Sequence, residues 1–141
     1  MCLDSTKVTE SQRSRMLRDR SEKGYHKLIV WKKARELVSE IYKITEQFPK
    51  SEEFGLKSQL RRASISVVLN IVEGYRRRST KEFIRFIDIA QASLTEIEAG
   101  LEIALDLKYL TEAQYAILEN KRSEVAFLLN SLVKSLRKNL E

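Results

Sequence analysis

Residues 79–106 read STKEFIRFIDIAQASLTEIEAGLEIALD, a stretch that no proline interrupts. It opens on Ser79 with Glu82 three residues later, the Ser-x-x-Glu capping box in which a hydroxyl and a carboxylate satisfy free N–H groups at a helix start. Phe83, Phe86, Ile87, Ala90, Leu94, Ile97, Leu101, Ala104 and Leu105 then recur at steps of three and four. That spacing gathers apolar side chains on one face of an α-helix. A helix of this length with one apolar face has to bury it against other elements.

The flanking sequence supplies those elements as further helices. Thr111-Glu112-Ala113-Gln114 is a second capping box, with Leu110 and Tyr115 at the positions of a hydrophobic staple. Leu118, Val125, Leu128, Leu129, Leu132 and Leu136 carry that helix nearly to the end of the chain. Upstream, Ala34, Leu37, Val38, Ile41, Ile44, Thr45 and Phe48 predict a helix from about Val30 that Pro49 ends. Ser51 is placed to cap the next helix, with Glu52 and Glu53 in its first turn. Its stripe is Leu56, Leu60, Ala63, Val67, Ile71 and Tyr75, and Gly74 with Arg76, Arg77 and Arg78 lies at its far end. Short turns between long helices force neighbours to run antiparallel. The expected fold is all-α, an antiparallel up-down-up-down four-helix bundle over residues 25–141. Helix 2 has additional apolar residues off its stripe, Ile65, Val68, Leu69 and Val72. They fit burial against a second subunit, or a central helix in a slightly twisted monomer.

Composition closes off other classes. In 141 residues there are 4 Gly and 1 Pro, where average usage gives roughly 17 of the two together. A turn-rich β-sandwich or barrel is excluded, and the length fits one domain. With 33% charged residues and no long apolar run, no membrane span is expected. One cysteine, Cys2, and one histidine, His26, leave no internal disulfide and no zinc cluster. Neither a metal site nor a cofactor is expected. The first residues lack the apolar core of a secretory signal, and Asp4, Glu10, Asp19 and Glu22 disfavour a transit peptide, so the expected compartment is the cytoplasm. Residues 1–24 are polar without a sustained period and read as a flexible arm, with helix around residues 12–20. Its Arg13, Arg15, Arg18 and Arg20 read either as a solvated tail or as a contact for an acidic partner.

Charge is distributed unevenly. The chain has 26 Lys and Arg against 20 Asp and Glu, a formal net charge of +6. All six excess charges fall within residues 57–85, where Lys57, Arg61, Arg62, Arg76, Arg77, Arg78, Lys81 and Arg85 face only Glu73 and Glu82. Antiparallel folding brings the end of helix 2 and the start of helix 3 to the pole that also receives Lys27, Lys32, Lys33 and Arg35 of helix 1. Lys134, Arg137 and Lys138 of helix 4 arrive at the same pole. Glu46, Glu52, Glu53, Glu98, Glu102, Asp106, Glu112 and Glu119 gather at the other. Helix dipoles oppose bases at the starts of helices 1 and 3, so another influence favours positive charge there. The pole reads as a phosphate-binding surface, or as a subunit-pairing face. Its candidate nucleic-acid-binding residues are Arg76, Arg77, Arg78, Lys81, Arg85, Lys32, Lys33, Lys134, Arg137 and Lys138. Folding helix 2 onto helix 3 places Arg61 and Arg62 near Glu96 and Glu98 as ion partners, structural or between subunits. Glu98, Glu102 and Asp106 share a helical face, but no histidine or glycine-rich loop accompanies them, and no catalytic residue is expected.

Several ordered motifs carry a family likeness. Leu28-Ile29-Val30-Trp31-Lys32-Lys33-Ala34, Phe48-Pro49, Phe54-Gly55-Leu56, Gln59-Leu60-Arg61-Arg62-Ala63, Asn70-Ile71-Val72-Glu73-Gly74 and the run from Phe83 to Ser93 resemble the bacterial four-helix-bundle proteins encoded within intervening sequences of large-subunit ribosomal RNA genes. The similarity spans residues 25–138 and leaves out the arm. Members often carry a proline in the middle of helix 2, near Val67 and Val68, which is missing here. The resemblance implies a homo-oligomer, commonly a five-membered ring, without enzymatic activity, in which the Gln59 and Gly74 motifs serve packing or assembly. The family is also similar to basic accessory proteins of diversity-generating retroelements, which bind nucleic acid and a reverse transcriptase. The expectation is a non-enzymatic oligomer, a pentamer, that binds RNA or an RNA–DNA hybrid through backbone and shape. The alternative is an adaptor or assembly scaffold for a protein such as a reverse transcriptase or a ribosomal component.

Overall fold

The computed structural model describes residues 28–138 together with residues 9, 11 and 140. Apart from residues 9 and 11 the arm lies outside the described residues, and so do the helix expected over residues 12–20, the arginine cluster, Cys2, His26 and Lys27. Among residues 28–138 four α-helices make up the fold: α1 (Ile29–Thr45), α2 (Leu56–Tyr75), α3 (Thr80–Asp106) and α4 (Glu112–Lys138), with a 3-10 turn at Lys50–Glu52 between α1 and α2. Each packs on its neighbours in sequence, and α4 closes the bundle against α1. The expected all-α bundle is the one that forms, and no strand occurs among the described residues.

The apolar stripes meet in a single core. Leu37 and Ile41 of α1, Leu60 and Ile71 of α2, Ile87, Leu94, Ile97 and Leu101 of α3, and Leu118 and Leu129 of α4 are shielded from solvent. Burying each of these large side chains contributes roughly 1.5–3 kcal/mol. At the outer edge, Tyr75 stays partly exposed and meets Phe83 edge-on, ring centroids 6.1 Å apart. Of the additional apolar residues on α2, Val68 and Val72 pack against the core, whereas Ile65 and Leu69 remain 37% and 57% exposed.

Both capping boxes set helix starts, with different completeness. The Ser79 hydroxyl accepts the Glu82 N–H at 3.0 Å, but the Glu82 carboxylate turns to Arg85 at 3.1 Å. At Thr111 the exchange is reciprocal: its hydroxyl accepts the Gln114 N–H at 3.1 Å, and its own N–H donates to Gln114 Oε1 at 3.0 Å. Gln114 also exchanges hydrogen bonds of 2.8 and 3.1 Å with Gln47, tying the end of α1 to the start of α4.

The start of α2 departs from the sequence expectation. Ser51 does not cap it; Gly55 precedes the first helical residue, Leu56. After Pro49 the chain closes two short-range bonds, from Glu52 N–H to Pro49 O and from Glu53 N–H to Lys50 O. Those bonds commit the segment to a 3-10 turn. Phe54 is left 96% exposed beside the turn.

Helices α2 and α3 approach closely along a seam of small residues. Ser66 and Ser93 hydroxyls are 2.9 Å apart, and Gly74 and Gly100 lie where a Cβ would collide with the facing helix. The Gly74 position is therefore a close helix contact in the last turn of α2.

Candidate nucleic-acid interface

The register of the helices fixes which bases share a level. Ser66 opposite Ser93 places Arg76 beside the first turn of α3, and Gln91 bonded to Asn130 at 3.0 Å places Lys81 and Arg85 beside the last turn of α4. Arg76, Arg77, Arg78, Lys81, Arg85, Lys134, Arg137 and Lys138 thus form a crown at one end of the bundle, all exposed. Among the described residues, the acids that stand with them are Glu73, Glu82 and Asp88.

Helix α1 does not reach this crown. It has 17 residues against 27 in α4, and the Gln47–Gln114 bonds set its far end level with the start of α4. Counting back along both helices puts Lys32 opposite residues 128–130, roughly 8 Å below Lys134 at 1.5 Å rise per residue. Lys32 and Lys33 therefore sit on the flank, and the single-pole placement expected for them is corrected by the shortness of α1. Lys33 is also occupied, with Glu124 at 3.5 Å and Glu36 at 3.6 Å. The nearby charges of Glu124 and then Glu36 raise its pKa above the ordinary lysine value.

Seven of the eight crown bases divide into two kinds. Arg78, Lys81, Lys134, Arg137 and Lys138 have no carboxylate partner among the described residues. Arg77 and Arg85 are engaged: Arg77 pairs with Glu73 at 3.3 Å and Arg85 with Glu82 at 3.1 Å. Their guanidinium carbons also lie 4.7 and 4.8 Å from the centroid of one ring, that of Phe86. Phe86 was not singled out by its sequence as a functional residue, although its position opposite Gly74 follows from the α2–α3 hairpin register.

The pairing expected for Arg61 is corrected. It faces α1, donating to Thr45 Oγ1 at 3.0 Å, the Tyr42 carbonyl at 3.0 Å and Glu46 at 2.9 Å, with its guanidinium 4.4 Å from the centre of the Tyr42 ring. Consecutive helical residues point about 100° apart, so Arg61 turns to α1 while Arg62 turns to α3. Buried Lys57 joins the same cluster through Glu46 at 3.9 Å and also pairs with Glu53 at 3.0 Å. The Arg61 hydrogen bond, followed by the charges of Lys57 and Arg61, lowers the pKa of Glu46 below the ordinary carboxylate value.

Glu98 pairs instead with Arg122, at 3.1 Å. Arg122 is nearly buried and also binds Glu119, whose hydrogen bond raises the arginine pKa. Arg62, Gln59 and Glu96 line a groove of about 280 Å³ between α2 and α3. Arg62 and Glu96 have no ion-pair partner among the described residues. Nor does any group of three or more His, Cys, Asp or Glu among those residues have the arrangement to hold a metal. No described helix is long and apolar enough to cross a membrane.

The fold has a close structural counterpart. A crystal structure of a protein of unknown function from the S23 ribosomal protein family of Bacteroides thetaiotaomicron VPI-5482 superposes with a TM-score of 0.68 at 30% sequence identity, covering 75% of this chain and 99% of that one. No curated protein matches the chain. The family model of the 23S rRNA-intervening sequence protein matches residues 26–131. By that match, which takes in all of the bundle but about the last two turns of α4, the chain belongs to the 23S rRNA-intervening sequence protein family.

Proposed function

We propose that the protein is a non-enzymatic RNA-binding bundle that grips the nucleic-acid backbone with its basic crown. One observation carries this reading: among the described residues eight exposed bases gather at one end against three acids, and five of the eight have no described carboxylate partner. Clustered cations in water repel one another, and phosphates relieve that repulsion while releasing condensed counterions. Among the described residues no stacking platform or recognition helix projects from the crown, so the backbone and duplex shape are what it reads.

The same protein self-associates, with a second copy as the occupant of the α2–α3 face. Leu69 and Ile89 are exposed there, and the unpaired Arg62 and Glu96 make the face complementary in charge to another copy of itself. A ring of such copies, a pentamer in the family pattern, multiplies weak crown contacts.

The test is a titration of structured RNA at several salt concentrations. About five phosphate contacts predict an affinity loss on the order of 10²–10³ between about 50 and 200 mM salt. Replacing Arg76, Arg77 and Arg78 together by Glu abolishes binding on this reading; indifference to both salt and charge reversal overturns it. Light scattering on a Leu69→Glu variant checks the assembly, and an unchanged mass refutes that face.

A further inference from the structure

We infer that Phe86 is a positioning residue which holds Arg77 and Arg85 as one preformed site for backbone phosphates of an RNA duplex. Glu73 and Glu82 act there as internal competitors that the phosphates displace. This rests on the phosphate-binding reading of the crown and specifies how part of it works.

Three observations converge. Arg77 comes from the end of α2 and Arg85 from the start of α3, yet both guanidinium carbons lie within 5 Å of the same ring centroid. Their separation is therefore capped by the sum of those two distances. A long arginine side chain in water samples many rotamers and loses them on binding; the ring removes part of that freedom beforehand, and the planar guanidinium still has donors to offer. Side-chain exposures of 46% and 60% leave both groups accessible to a ligand. Finally, each is bonded to one carboxylate, so the group is neutral until those acids are exchanged for phosphate. An anion too weak to displace Glu73 and Glu82 gains nothing from this pair, whereas the unpaired Arg78, Lys81 and Lys134 attract any polyanion.

The experiment measures binding of a fluorescently labelled RNA duplex, across a salt series, to the full chain and four variants, one of them the triple replacement of Arg76, Arg77 and Arg78 by Glu. Phe86→Leu keeps the Cβ that packs on Gly74 and removes the ring. It is expected to weaken binding about three- to tenfold at every salt concentration, the cost of ordering two released side chains, with the salt slope unchanged because no charge is lost. Phe86→Tyr retains the ring and is expected to bind like the parent. Glu73→Gln combined with Glu82→Gln lies on the surface and is expected to tighten binding about two- to fivefold. A DNA duplex of the same sequence is expected to show the same dependence on the ring, since the phosphates are common to both.

Wild-type affinity in Phe86→Leu, or unchanged or weaker binding in the double glutamine variant, overturns the inference. If the triple Arg-to-Glu variant loses RNA in the same series, the crown reading survives that result. If the triple variant also binds normally, the crown reading itself has failed. A ring dependence seen with RNA alone overturns phosphate as the ligand of this pair.

Discussion

Replacing Gly74 by Ala tests the α2–α3 seam directly. A Cβ at this position meets Phe86 Cβ at 2.8 Å and Phe83 Cδ1 at 2.9 Å, where ordinary contact begins at 3.4 Å. The Phe86 Cβ is fixed to the α3 backbone, so no rotamer change moves it away. The helices must part by more than half an ångström, and forced overpacking of this kind costs typically about 1–3 kcal/mol. Alanine returns up to about 1 kcal/mol through its higher helix propensity, less in a terminal turn. The net expectation is a loss of about 1–2 kcal/mol, which at a urea slope near 2 kcal/mol/M lowers the unfolding midpoint by roughly 0.5–1 M. Gly100→Ala is the internal comparison. Its Cβ meets Leu60 Cδ2 at 2.7 Å, the far end of a side chain that can rotate. That rotation costs about 0.5–1.5 kcal/mol against a mid-helix propensity gain of about 1 kcal/mol, so its midpoint stays near the parent's. A Gly74→Ala midpoint equal to or above that of Gly100→Ala refutes the account of the seam.

Two further outcomes follow from the caps and the ion clusters. Thr111→Ala removes the acceptor for the Gln114 N–H and is expected to lower stability by about 1 kcal/mol, read as a urea midpoint; an unchanged midpoint counts against a working cap. Because Arg61 and Lys57 depress the Glu46 pKa, the stabilisation from that carboxylate is present above its ordinary value of 4.5 and fades as pH falls through the lower folded value. Urea midpoints at neutral and strongly acidic pH are therefore expected to differ less in Arg61→Gln than in the parent, and equal acid sensitivity refutes the linkage.

What could be read from the chain was whatever depends on near neighbours. Ser79 and Thr111 announced helix starts because a cap is local chemistry, and the core stripes followed from spacing alone. The Ser51 expectation failed because Pro49 and two short backbone bonds competed for the same turn. Arg61 was assigned to the wrong helix because hairpin register specifies level along an axis, whereas the partner is chosen by the angle around it. The placement of Lys32 and Lys33 failed for a related reason: topology orders the ends of helices without equalising their lengths. The crown itself was legible as a charge excess in residues 57–85. The shared ring of Phe86 was not, because it depends on two side chains converging from different helices.

The fused seam between α2 and α3 also bears on how the molecule opens. Where backbones approach this closely, over a stretch running from Gly74 to Gly100, few motions separate one helix without dismantling the pair. Helix α1 is shorter, lacks a side-chain cap at Leu28 and has Ile29 exposed. The α2–α3 hairpin is therefore expected to open as one cooperative unit, with the slowest amide exchange in the chain, and α1 is expected to open before it. Partial opening uncovers the inner face of α2, including Val68 and Val72, while the crown-bearing turn between α2 and α3 stays intact.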